Sequence, residues 1–122
     1  MSEYREYFFD TFAVIEILRK NAAYLPYAAA RMHLTKLNLY ELCLYALRIE
    51  GEASARRLLE QCSPFVDEID DEVVFAAARL KHENKALSMA DCVGYVTARR
   101  LGVKFLTGDK EFKKMKNVEW VS

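Results

Sequence analysis

The sequence predicts an α/β fold, a three-layer arrangement in which a mainly parallel sheet lies between helices. Short apolar segments alternate along the chain with segments whose apolar residues recur at helical spacing, a pattern typical of parallel sheets covered on both faces. The chain has 122 residues, which suffices for one hydrophobic core, so we expect a single domain over residues 1–122. Apolar residues make up 52% and charged residues 30%, a globular composition that argues against disorder.

The first half of the sequence contains two segments typical of strands, each followed by helical patterns. The aromatic-rich residues 5–10 and the short stretch 31–37 are the predicted strands. Gly51 and Pro64 lie where helices commonly end. The predicted helices cover residues 11–21, 22–30, 39–49 and 52–62.

The second half repeats this alternation. Residues 64–70 are weakly hydrophobic, so we expect a strand at the edge of the sheet there. Ser88 and Asp91 form a pattern like a capping box, which predicts the start of a helix that ends at Gly102. The predicted strands cover residues 64–70, 103–107 and 118–122, and the predicted helices cover residues 71–85, 88–101 and 110–116.

Four acidic residues hold comparable positions relative to the predicted strands. Asp10 ends the first strand, and Asp109 directly follows the strand over residues 103–107. Glu41 lies in the first turn or so of the helix after the second strand, and Asp91 lies in the first turn of the helix that begins after Ser88. Because a helix that follows a parallel strand begins at that strand's carboxyl end, all four acids map to the edge where open α/β sheets bind their ligands.

Four carboxylates in a small space repel one another, and a divalent cation relieves that repulsion. Mg²⁺ and Mn²⁺ prefer oxygen ligands and keep several waters. Two such ions can flank a phosphodiester, activate a water and stabilise the leaving oxygen, so the pattern favours metal-dependent phosphodiester hydrolysis. Each acid also has a local interpretation: Asp10 as a helix N-cap, Asp91 as a capping partner, Asp109 as a turn residue and Glu41 as a solvated helix residue.

Four segments match a known pattern in the same order along the chain: FFDT (8–11), LNLYEL (37–42), LSMADCVGYVTARRLG (87–102) and FLTGDKEF (105–112). Together they resemble the PIN-domain family, and in particular the VapC-type toxins of prokaryotes. The resemblance implies a five-stranded parallel sheet with strand order 3-2-1-4-5, which makes Asp10 and Asp109 neighbours at its centre. It also implies an Mg²⁺- or Mn²⁺-dependent endoribonuclease whose catalytic and metal-binding residues are Asp10, Glu41, Asp91 and Asp109.

The same resemblance assigns supporting roles to neighbouring polar residues. Thr11 and Thr107 would hold the acids in place, and the alternative is local turn and cap hydrogen bonding. Gly108 would let the backbone approach the metal site, or would simply make the turn. Gly94 lies inside a predicted helix, so we expect close packing on the sheet there. Cys92 is expected to be a buried thiol, because no base is evident beside it.

The resemblance also implies partners. They are an RNA substrate, an antitoxin protein that holds the toxin inactive, and a second copy of the chain in a homodimer. Candidates for the surface between two copies are Tyr24, Leu25, Tyr27, Tyr40, Leu44 and Tyr45, and the alternative is that these residues form the core.

Composition excludes several other classes of protein. The first residues lack an apolar signal core, and no apolar run approaches the ~20 residues of a membrane span, so we expect a cytoplasmic protein without a membrane partner. Three cysteines without a CxxC pair and two histidines argue against a disulfide framework or a zinc site. The net charge is zero, but residues 97–117 carry seven basic residues against two acidic ones, either as a solvated face or as a patch that faces phosphates.

Two alternatives remain beside the nuclease. A receiver-type phosphoacceptor domain needs paired acids after the first strand and a lysine after the last one, whereas this chain has a lone Asp10 and places Glu41 on a helix. A catalytically silent PIN-like scaffold that works through protein contacts is the other alternative. Retention of all four acids argues against it.

Overall fold

The computed structural model describes residues 5–122, so residues 1–4 of the predicted domain lie outside the described part. Within that range, the chain forms four strands and five α-helices. The strands are β1 (Glu6–Phe9), β2 (Arg31–His33), β3 (Lys104–Thr107) and β4 (Val118–Trp120). The helices are α1 (Thr11–Leu18), α2 (Lys36–Ile49), α3 (Glu52–Cys62), α4 (Asp71–Glu83) and α5 (Met89–Leu101), and 3₁₀ turns span Leu25–Tyr27, Ser63–Phe65 and Lys110–Phe112. None of the described helices is long and apolar enough to cross a membrane.

The strands form one parallel sheet in the order β2-β1-β3-β4. The central strands β1 and β3 are direct neighbours, with Phe9 opposite Leu106. The chain moves from β1 to β2 on one side and from β3 to β4 on the other, so the topology changes direction between β1 and β3. A crevice is expected at the carboxyl ends of two strands with this relation.

The prediction of five strands in the order 3-2-1-4-5 was wrong in one respect, because residues 64–70 form no strand. Within the described range they contribute a single bridge, between Leu34 and Val66. Pro64 has no amide hydrogen for a strand ladder and lies instead in the 3₁₀ turn that precedes Val66. The other four predicted strands keep the relative order that was predicted for them.

Other predicted elements are shorter or shifted. The second strand ends at His33 because Thr35 is the N-cap of α2, and the Asn38 side chain accepts a hydrogen bond from the Thr35 backbone N–H at 2.9 Å. Helix α2 therefore begins earlier than predicted, and Glu41 lies in its second turn. The predicted helices over residues 22–30 and 110–116 are reduced to the 3₁₀ turns Leu25–Tyr27 and Lys110–Phe112.

Alternation along β1 divides the core into two clusters. Tyr7 and Phe9 pack with residues of α1, α2 and α3, whereas Phe8 packs with residues of α4 and α5 on the other face. This confirms the three-layer arrangement. A Cβ atom at Gly94 would lie 2.7 Å from the Phe8 ring, so α5 lies directly on the sheet as predicted. Cys92 is 1% exposed, which confirms the buried thiol.

Candidate metal centre

Asp10 lies at the junction of the two central strands and is the N-cap of α1. Its Oδ1 accepts a hydrogen bond from the Ala13 backbone N–H at 2.6 Å, and its Oδ2 accepts one from the Thr107 hydroxyl. Its own backbone N–H donates to the Leu106 carbonyl at 3.1 Å. The N-cap interpretation is therefore confirmed, and the same contacts fix a buried carboxylate at the carboxyl edge of the sheet.

Glu41 reaches the same edge from the second turn of α2. The Thr11 hydroxyl donates a hydrogen bond to Glu41 Oε1. Asn38 Nδ2 in turn donates to Thr11 Oγ1 at 3.1 Å. This chain of hydrogen bonds joins the starts of α1 and α2 and orients the half-buried Glu41 carboxylate.

Asp91 and Asp109 come from elements in the second half of the chain. Asp91 lies in the first turn of α5, where its backbone N–H donates to Ser88 Oγ at 3.1 Å. Asp109 follows β3, and its Oδ1 accepts from the Glu111 backbone N–H at 2.9 Å. The Asp109 backbone N–H donates to Thr107 Oγ1 at 3.1 Å, so one threonine contacts both Asp10 and Asp109.

Gly108 lets two distant segments approach the loop that carries Asp109. A Cβ atom at this position would lie 2.3 Å from the Tyr24 hydroxyl and 2.8 Å from the Val121 carbonyl oxygen. Any larger residue would therefore displace the loop. Neither sequence interpretation of Gly108, approach to a metal or turn formation, identified this contact.

The four carboxylates line one cleft with a volume of about 600 Å³ at the carboxyl edge of the sheet. The sequence placed all four at this edge, and the structure brings them to one cavity. The remaining lining residues come from α1, α2 and the loops before α5 and after β3: Thr11, Phe12, Ile15, Leu44, Tyr45, Arg48, Ile49, Ser88 and Gly108.

Burial and mutual repulsion change the acidity of two of these groups. The pKa of Asp10 is raised to about 7, mainly because the carboxyl group is buried. The hydrogen bonds from Thr107 and Ala13 lower this pKa, whereas the negative charges of Asp91 and Asp109 raise it further. Burial also raises the pKa of Asp91 to about 6, again with the neighbouring acids as a smaller cause. In both groups the charged form lacks solvation and a nearby cation.

The donor set suits a hard divalent cation, because the cleft presents carboxylate oxygens and hydroxyls. Within residues 5–122, however, no three His, Cys, Asp or Glu side chains lie close enough to one another to ligate a single ion. Like charges that face one another without compensation favour such separation. The four acids therefore share a cleft and fit the chemistry of Mg²⁺ or Mn²⁺ without forming a closed cluster.

Sequence reasoning missed two residues of this site. Asn38 is 2% exposed and supports Thr11, and its position three residues after the N-cap Thr35 is the signal that identifies it. Arg48 lines the cleft two helical turns beyond Glu41. Its place could not be deduced locally, because it depends on how α1 and α2 pack together.

The basic residues over 97–117 do not form one track beside the cleft. Arg99 and Arg100 lie at the end of α5, and Lys104 begins β3, so these three lie at the sheet edge opposite the carboxylates. Arg100 also pairs with Asp70 at 2.9 Å. The run is therefore divided between the two edges.

The residues predicted for a surface between two copies lie in different environments. Tyr24 is 2% exposed and belongs to the core, so its assignment to an interface was wrong. Leu25 and Tyr40 are exposed. Leu44 and Tyr45 line the carboxylate cleft instead.

The solved structures that share the fold include the following two. One is a chain of a toxin-antitoxin complex from Klebsiella pneumoniae, with a TM-score of 0.75 and 20% sequence identity over 93% of this chain and 95% of that chain. The other is a chain of VapBC2 from Rickettsia felis bound to a DNA fragment from the VapBC2 promoter, with a TM-score of 0.67 and 16% sequence identity over 96% of this chain and 99% of that chain. At these identities the similarity establishes the fold alone.

Sequence comparison identifies the family. No curated protein matches the sequence of this chain. The family model described as PIN domain matches residues 7–118, a range that includes all four carboxylates of the cleft. The chain therefore belongs to the PIN domain family.

Proposed function

We propose that this protein is a metal-dependent endoribonuclease that hydrolyses RNA phosphodiester bonds. The observation that carries this proposal is the convergence of Asp10, Glu41, Asp91 and Asp109, from four separate elements, on one cleft of a PIN fold. Within residues 5–122 no lysine, arginine or histidine forms an ion pair with any of them. Their charge is left for a cation from solution.

The chain's own residues orient the ligands. Thr107 and the backbone of Ala13 hold the Asp10 carboxylate, and Thr11 holds Glu41. Orientation of this kind is what metal sites require from the residues around their ligands. Bound Mg²⁺ or Mn²⁺ would supply charge compensation and a water of lowered pKa, and the carboxylates of the cleft are the residues that would hold it.

Cleavage of mixed RNA tests the proposal. We expect the purified protein to cut RNA in Mn²⁺ or Mg²⁺, to stop when EDTA is added, and to resume when excess metal is restored. The variant Glu60→Gln serves as a control and should cleave RNA as wild type does, because Glu60 is exposed on α3 away from the cleft. The proposal is overturned if wild type cuts no RNA in either metal, which is the result expected of a silent scaffold. It is also overturned if EDTA does not reduce cleavage.

We further propose that the protein acts in the cytoplasm as the toxin of a toxin-antitoxin pair. Support comes from the two solved structures of similar fold, which are both toxin-antitoxin complexes. Induced expression in a bacterial host should stop growth for wild type and not for Asp109→Asn. A short neighbouring gene whose product restores growth and copurifies would be the antitoxin, and equal growth of both cultures would contradict the toxin assignment.

A homodimer is the remaining proposal about assembly. Tyr40 and Leu25 are exposed and are the predicted interface residues that the fold leaves free for it. Sedimentation at tens of micromolar should show a dimer for wild type, and Tyr40→Ser should weaken it. A wild-type monomer at that concentration would refute the dimer.

A further inference from the structure

Arg48 is the only basic residue among the described residues that line the carboxylate cleft. It is exposed, and within residues 5–122 no carboxylate pairs with its guanidinium. Arg19 and Arg100, by contrast, do have such partners: Arg19 lies 3.5 Å from Glu16, and Arg100 lies 2.9 Å from Asp70. Arg48 thus presents an unpaired positive charge to a cleft whose other charged residues are all acidic.

The position of Arg48 on α2 relates it to the carboxylates. Glu41, Tyr45 and Arg48 are spaced at i, i+4 and i+7, so they follow one another along one face of the helix. Seven residues of helix correspond to about 10 Å. Across the cleft, at the start of α1, Phe12 is 53% exposed. The cleft is therefore lined by two aromatic side chains and a guanidinium in addition to the four acids.

We propose that Arg48 binds a phosphate of the RNA strand next to the phosphate that is cleaved, an inference that rests on the function proposed above for the cleft. An acidic cleft repels a polyanion, and metal held by the carboxylates would compensate this repulsion at the scissile phosphate. A guanidinium offers paired N–H donors that match two phosphate oxygens. Aromatic faces such as those of Phe12 and Tyr45 suit the bases of a single strand between the two phosphates.

Arg48 also has a local interpretation, because it lies in the last turn of α2, where a positive charge stabilises the helix end. The two interpretations differ in what they affect. A helix-end role changes the melting temperature and leaves RNA affinity unchanged. A phosphate contact changes RNA affinity and its dependence on salt.

Binding of a fluorescent single-stranded RNA, measured by anisotropy over a series of salt concentrations, separates them. The experiment uses the Asp10→Asn protein, in which we expect cleavage to be lost, with and without Arg48→Gln. We expect Arg48→Gln to weaken binding about tenfold, as for the loss of one hydrogen bond to a charged group. The dependence of binding on salt should also become weaker: the magnitude of the slope of log binding constant against log salt concentration should decrease by roughly 0.7, the value for one phosphate contact on a single strand.

Two further variants complete the design. Arg48→Lys keeps the charge and should retain the salt slope. Arg56→Gln removes an exposed arginine from α3, outside the carboxylate cleft, and should change neither the affinity nor the slope. Equal affinity and slope for Arg48→Gln and its parent would overturn the inference, as would a change in melting temperature alone.

The outcomes also separate this inference from the proposed function. Wild type that cleaves RNA while Arg48→Gln binds normally overturns the inference alone. Wild type that fails to cleave any RNA, with binding that still depends on Arg48, overturns the nuclease and leaves the phosphate contact in place. Absence of RNA binding by every variant overturns both.

Discussion

Two groups of carboxylates in this protein have opposite surroundings. Beside β2, His33 lies between two acids, with Nδ1 2.9 Å from Asp67 and Nε2 3.0 Å from Glu6, and Arg31 lies 3.7 Å from the same glutamate. In the cleft, the described partners of the acids are neutral: hydroxyls of threonines and backbone N–H groups. The first group, which we call the histidine-linked group, has a histidine and an arginine of the chain as partners, whereas the carboxylates of the cleft have no basic partner among the described residues.

This difference separates structural acids from acids available to a ligand. A carboxylate with a cation of its own chain has its charge satisfied and contributes modestly to stability. A buried carboxylate with neutral donors keeps a defined orientation but has a raised pKa, as Asp10 has. The cleft is identified as a candidate ligand site because its carboxylates are held in a defined orientation and have no basic partner in the described part of the chain. The number of acids alone would not identify it.

The largest expected effect is on cleavage. Asp10→Asn and Asp109→Asn should each lower RNA cleavage in Mn²⁺ by orders of magnitude, because the proposed metal site would lose one of its carboxylate charges. Asp67→Asn, from the histidine-linked group, is the matched control and should cleave at the wild-type rate. Near wild-type cleavage by either cleft variant in a gel assay would show that the site is assigned wrongly.

The next effect is on stability against pH in the metal-free protein. The folded pKa of Asp10 is about 7, above the unfolded value of about 3.9, so folding favours the protonated form. The stabilisation is fully present below about pH 4 and is lost as the pH rises through about 7, on the order of 4 kcal/mol for a shift of this size. Urea unfolding in EDTA should show this decline.

Asp10→Asn is the control for that measurement, since asparagine cannot ionise. Its unfolding free energy should change less than that of wild type between pH 4 and pH 7. Parallel profiles for the two proteins would mean that Asp10 does not titrate in this range.

A third effect is stabilisation by metal. Wild type should gain about 2.7 kcal/mol when Mn²⁺ exceeds its Kd about a hundredfold. Asp91→Asn should melt in EDTA at the wild-type temperature or above, because one repelling charge is gone, and its gain from Mn²⁺ should be smaller. If Asp91 is only a capping residue, the substitution costs about 1 kcal/mol or less and leaves the response to Mn²⁺ unchanged.

The smallest effect is expected in the histidine-linked group. His33→Gln should lower the unfolding free energy by about 1 kcal/mol or less, because its carboxylate partners are partly exposed to solvent. The loss should be equal in EDTA and in Mn²⁺, as measured by thermal melts. A loss that disappears in Mn²⁺ would show that the two groups are not independent.

The parts of the fold that the sequence predicted depend on local signals. Apolar periodicity identified the strands and helices, and the capping pattern of Ser88 located the start of α5. The topology rule then brought four distant acids to one edge. Residues 64–70 were misassigned because an apolar pair, Phe65 and Val66, resembles a strand, whereas Pro64 favours the 3₁₀ turn that forms there.

Features that depend on contacts between distant elements could not be predicted. The contact of Tyr24 with the backbone at Gly108 requires the two segments to be placed first. Arg48 belongs to the cleft only because α1 and α2 pack side by side. Tyr24 looked like a surface aromatic for the same reason, since its sequence neighbours are exposed or half-buried while it is enclosed.

The hydrogen bond between Thr107 and Asp10 has a consequence for the order of events during synthesis. The two residues are 97 positions apart, so Asp10 leaves the ribosome long before the strand that orients it. At ~5–20 residues per second this interval is roughly 5–20 seconds. A nascent chain that ends within α5 has no β3, no Asp109 and therefore no assembled cleft. The carboxylate cleft is therefore assembled only after the second half of the chain has been made.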